Sequence, residues 1–176
     1  LIIMKKIFSM AIAGMICTCF SCNQPATTAD DGNKAQEQKN IAASQAIGNA
    51  FKTGNAASLD SLIADDFVDH TEHGDVKGVD SLKAMVNMIH TSMADMKMDD
   101  VNDAASGDYV YSWMNYSGNS DGSMGMPKGP YNMNMIELTK FKDGKATEHW
   151  SFMDPKDMMK MMPPPPPPMD SSKMKK

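Results

Sequence analysis

Cysteine is scarce in this chain and confined to one place. All three cysteines, Cys17, Cys19 and Cys22, fall before Asn23. Everything downstream therefore has no internal disulfide, cysteine nucleophile or cysteine zinc site. A basic stripe interleaved with aromatic residues is also missing. The balance is 17 Lys plus Arg against 22 Asp plus Glu, a net charge of -5, which argues against nucleic acid as a partner. Nor is there a long hydrophobic run, since the one apolar stretch, within residues 4 to 22, is too short for a comfortable membrane span.

That stretch, MKKIFSMAIAGMICTCFSC, has the form of a secretory signal: a methionine, two lysines, apolar and small residues, then a cysteine. Its end, Phe20-Ser21-Cys22, resembles a bacterial lipobox, with Cys19 where that pattern has leucine. The resemblance implies cleavage before Cys22, lipidation there and a lipid anchor in the bacterial cell envelope, periplasmic or surface-exposed. An ordinary signal peptide with a secreted product is the alternative. Residues 23–39 lack apolar periodicity and suit a flexible tether. Residues 155–176 are rich in methionine and proline, and read as a disordered tail outside the core. What remains, residues 40–154, is one domain's worth of chain.

Within it, Ile41, Ile47, Ala50 and Phe51 recur at helical spacing, and Gly54-Asn55 ends that helix. A short helix over 56–64, a strand at Phe67-Val68-Asp69-His70 and a helix over 78–93 follow. The period then shortens to two. Strands are expected from Met96, over 109–116, over 132–142 and over 145–153, with a glycine-rich loop at 117–130 and a tight turn at Asp143-Gly144. Helices followed by antiparallel strands make an α+β protein, here a conical, strongly curved antiparallel sheet wrapped around N-terminal helices. The mouth of such a cone is the natural ligand site.

Four segments carry a family resemblance: Phe67-Val68-Asp69-His70, residues 78–83 (GVDSLK), residues 106–110 (SGDYV) and residues 143–150 (DGKATEHW). In their order they resemble the SnoaL-like polyketide cyclase branch of the nuclear transport factor two and ketosteroid isomerase superfamily. The resemblance implies a ketosteroid isomerase-like fold, a pocket for a small apolar molecule, a homodimer formed through the outer sheet face, and a proton-transfer step of cyclase or isomerase type. It also implies that the residue before the tryptophan, His149, is the base, and that a second polar group stands near Met135 or Glu137. Histidine begins near the working pH, as a base should.

Strand alternation puts Thr147, His149 and Ser151 on one face and Glu148, Trp150 and Phe152 on the other, and leaves open which face is inside. His149 and Glu148 are thus alternative catalytic candidates. Asp69, His70, Tyr111, Trp113, Met135 and Trp150 are candidate ligand contacts, with His70 facing the last strand across the cavity. The run His70-Thr71-Glu72-His73 invites a metal reading, but positions 70 and 73 of a strand face opposite ways, so neither a metal site nor a cofactor is expected. Twenty methionines give two further alternatives. They plug the cone in a non-catalytic binding or dimerisation module, or those at 124, 126, 158, 159, 161 and 162 bind copper(I) through soft thioethers.

Overall fold

A computed structural model describes residues 28–162, so the signal-like segment and Cys22 lie outside the described residues. Along the chain come α1 (Thr28–Thr53), a 3-10 turn (Ala56–Ser61), β1 (Ile63–Thr71), β2 (Gly74–Lys77), α2 (Val79–Ser92), β3 (Met93–Ser106), β4 (Tyr109–Ser120), β5 (Gly129–Lys142), β6 (Lys145–Met153) and α3 (Pro155–Met161). The strands form one curled sheet in the order β2-β1-β6-β5-β4-β3. The expected α+β class is what the chain adopts, with one correction. The sheet is mixed, because β1 pairs parallel to β6 while every other pair is antiparallel.

The core gathers where α1, the 3-10 turn and α2 cover the concave face. Ala50, Leu59, Ile63, Phe67, Leu82, Val86, Val110, Phe141 and Ala146 are its buried members. The sequence periodicity of α1 and α2 supplies these contacts, since positions three and four apart share one face. The helix α1 begins well before the first apolar position, so residues 28–39 continue a helix where composition suggested a tether. Ala, Gln, Glu and Lys are good helix formers that need no core. Asn40 is buried, its amide donating to Gly107 O at 3.3 Å, and Glu37 accepts from Gly107 N at 2.8 Å. These bonds tie the polar half of α1 to the β3–β4 turn.

The start of the expected tail also joins the fold. Asp154 caps α3 by accepting from Lys156 N, with Pro155 in the first turn, as helix starts favour. Asp157 is buried and accepts from Asn134 N at 2.9 Å, which fastens α3 to β5. The β5–β6 hairpin turns at Asp143 and Gly144, with φ of 52° and 79°, the pair of positive values a two-residue hairpin loop requires. The expected loop at 117–130 is shorter, because β4 runs on to Ser120 and β5 starts at Gly129. Strand β2 was not read from the sequence; it is four residues long and pairs only with β1.

Candidate active site

The curl of the sheet leaves a cavity of about 300 Å³ between its concave face and α1 and α2. Its walls are mainly apolar, and eight of the lining residues are methionines, among them Met98, Met114, Met133 and Met135. They line an open cavity and do not plug it. Set into this wall is one polar cluster. Its members are Ser112 and Tyr116 on β4, Glu137 and Thr139 on β5, His149 and Ser151 on β6, and Asp69 on β1, with residues two or four apart on one strand sharing the inward face.

At its centre, His149 Nδ1–H donates to Asp69 Oδ1 at 2.9 Å, and Nε2–H donates to Glu137 Oε2 at 3.1 Å. The second oxygen of Glu137 accepts from the Tyr116 hydroxyl at 2.7 Å, and Ser151 Oγ–H donates to Oε2. Asp69 stands beside His149 because β1 and β6 run parallel with those two residues paired, while Thr139 of β5 pairs with His149 from the other side.

The protonation states follow from this geometry. Burial alone would push His149 down, but hydrogen bonds and charge attraction from Asp69 and Glu137 outweigh it and raise the pKa to about 9. Burial would likewise raise Glu137, yet its bonds from His149, Ser151 and Tyr116 hold it below the usual carboxylate range. Tyr116 is pushed well above the ordinary phenol value by burial and by the adjacent Glu137 charge. At neutral pH the cluster therefore sets the His149 imidazolium against the Glu137 carboxylate, with the neutral Tyr116 phenol at one end.

Of the residues singled out from the sequence, Asp69, Met124, Met135, Glu137 and His149 line this cavity. The candidates Glu148, His70, Tyr111, Trp113 and Trp150 lie on the opposite face of the sheet. Glu148 pairs with Lys140 Nζ at 2.6 Å and His70 Nε2 at 3.3 Å. His70 does meet the last strand, but outside the cavity, and its ring stacks on Trp150 at 4.7 Å. Tyr111 and Trp113 are 43% and 49% exposed, because Ser112, Met114 and Tyr116 take the inward parity of β4. His73 and Glu72 are exposed, and among the described residues no group of three or more His, Cys, Asp or Glu side chains is placed to hold a metal ion.

The residues that reasoning from sequence missed are Tyr116, Ser112, Thr139 and Ser151. Glu137 was marked as a neighbour of the expected second polar position, and it is the one that reaches His149. Parity on β5 would have found it, since Met133, Met135, Glu137 and Thr139 share a face.

A profile of the SnoaL-like polyketide cyclase family matches residues 41–161. The chain belongs to that family. No curated protein matches it. Among solved structures, a candidate SnoaL-like polyketide cyclase from Jannaschia sp. CCS1 is 18% identical over 74% of this chain and 95% of its own, with a TM-score of 0.63. IdmH, a candidate polyketide cyclase from Streptomyces antibioticus, is 25% identical over 72% of this chain and 97% of its own, with a TM-score of 0.57. An LEH-like epoxide hydrolase from M. tuberculosis is 16% identical over 72% of this chain and 90% of its own, with a TM-score of 0.58. Relatives named for two different reactions share this SnoaL-like fold, so the chemistry is read from the site itself.

Proposed function

We propose that this SnoaL-like domain binds a small, largely apolar carbonyl compound in its cavity and moves a proton on the carbon beside the carbonyl. The observation that carries this reading is His149 held between Asp69 and Glu137 in a mainly apolar wall. Glu137 accepts from three donors and is a poor proton acceptor. Asp69 accepts from His149 alone among the described residues, and its free oxygen can take a substrate proton. The electron pair left on carbon passes to the carbonyl oxygen, and the imidazolium charge of His149 stabilises the resulting enolate. This assigns the base role to Asp69 and gives His149 the part of a fixed cation.

Deuterium exchange in D₂O, measured on a panel of small apolar ketones and 1,3-dicarbonyls, tests the reading. Exchange is expected for at least one compound, with Asp69→Asn lowering its rate by about 10²-fold or more. No exchange with any compound rejects catalysis and leaves a binding module, whereas exchange undiminished in Asp69→Asn rejects Asp69 as the base.

A second reading is copper(I) binding by thioethers. Met114, Met135 and Met153 stand in one row across β4, β5 and β6, and direct cross-strand neighbours have Cβ atoms about 5 Å apart. Anaerobic copper(I) titration of the full chain separates two versions of it. Loss of binding in a Met114→Leu, Met135→Leu variant assigns the cavity, whereas loss on removing residues 155–176 assigns the tail.

The protein is further proposed to be an envelope lipoprotein anchored at Cys22, for which Cys22→Ala should shift it out of the detergent phase. It is also proposed to dimerise through the outer sheet face. The exposed row of Trp113, Ile136 and Phe152 on adjacent strands supports that choice of face.

A further inference from the structure

The charge of the cavity is one-sided. Three carboxylates line it, Asp69, Asp100 and Glu137, against one basic group, His149. No lysine is among the lining residues, and the chain contains no arginine. With His149 protonated, the wall still carries two uncompensated negative charges. With Asp100 protonated as well, one remains. Asp100 is exposed at the cavity's margin and is attracted by Lys52 on α1, which is also exposed and outside the lining.

The hydrogen-bonding capacity of these carboxylates tells a different story from their charge. Glu137 is committed to His149, Ser151 and Tyr116. The Asp69 side chain is only 9% exposed and keeps one oxygen without a partner among the described residues. The field is therefore negative while few acceptors stand free. An ammonium bearing several N–H groups would leave most of them unpaired there, at a cost. An ammonium whose hydrogens are replaced by alkyl groups loses little hydration on entering and needs no acceptor. Phe51, Phe67 and Tyr116, together with polarizable methionine sulfurs, line the same space and suit N-alkyl groups.

From this juxtaposition we infer that the cavity selects a small hydrophobic cation, an alkylated ammonium, over a neutral molecule of the same shape. The inference rests on the proposed reading of the cavity as a ligand site and names the ligand class. Asp100, on β3, lines the same cavity as the Asp69–His149–Glu137 cluster, and the cation would lie between them.

The test compares two isosteres on the full chain by calorimetry: (3-hydroxyphenyl)trimethylammonium and 3-tert-butylphenol. The cation is expected to bind at least about 10-fold tighter, as one uncompensated charge at close range allows. Asp100→Asn should shrink that ratio several-fold with the fold retained by NMR. Equal affinities, or tighter binding of the phenol, would overturn the cation preference and leave the proton-transfer reading standing. Failure of both compounds to bind at millimolar concentration also overturns it, while the deuterium-exchange assay decides the proton-transfer reading by itself.

Discussion

At the scale of single residues, His149 couples stability to pH. Its pKa is raised from 6.5 to about 9 in the folded chain, so its contribution is complete below pH 6.5 and is lost as pH rises through 9. That shift corresponds to on the order of 3 kcal/mol. The expected outcome is that the stability difference between the native chain and His149→Gln, from urea unfolding, shrinks as pH rises from 7 to 10. A difference constant across that range would show that His149 is not held as a cation. Glu137, held low, acts in the opposite direction: its contribution is present above the unfolded carboxylate range and fades as pH falls. Much of this cluster was legible in the sequence as residue type, but not as facing. Ala146 is fully buried on the cavity side, and plain alternation from it would put Glu148 and Trp150 inside. The register instead pairs Phe141 with Ala146 and Lys140 with Glu148, leaving Thr147 as a bulge that turns His149 inward. A one-residue bulge leaves no mark in composition or period.

At the scale of elements, α3 was hidden for a different reason. Its residues are mostly methionine and lysine, with no apolar stripe, and it is attached through Asn134 of β5, which donates from backbone and side chain to the buried Asp157 and accepts from Asp154 N. Replacing Asp157 with Ala is expected to lower the melting temperature by roughly a few degrees and to expose the Asn134 amide to hydrogen exchange. Removing residues 163–176, which follow α3, should leave both unchanged. If Asp157→Ala alters neither, α3 does not dock. The helices α1 and α2 and the β5–β6 hairpin were readable, because amphipathic spacing and an Asp-Gly turn act locally. The parallel β1–β6 pairing was not, since it joins residues about 80 positions apart with no local signal. Yet that pairing brings Asp69 to His149, so the site depends on the least legible contact in the fold.

At the scale of the whole molecule, the two faces of the sheet differ in composition. The concave face holds the cavity and its acidic cluster. The convex face exposes Trp113, Ile136 and Phe152, with His70, Lys140 and Glu148 forming an ion-paired flank. A stable dimer buries about 800 Å² per partner, and Trp113→Lys at the centre of this patch should convert a dimer into a monomer in light-scattering chromatography. A monomeric native chain would remove the outer face as an interface. The cavity account turns on the charge held inside. The most direct measurement is an NMR titration of the four histidine side chains in the native chain, Asp69→Asn and Glu137→Gln. The account predicts that His149 titrates near 9 and that either substitution lowers it. Titration of His149 at or below 6.5 in the native chain would contradict it.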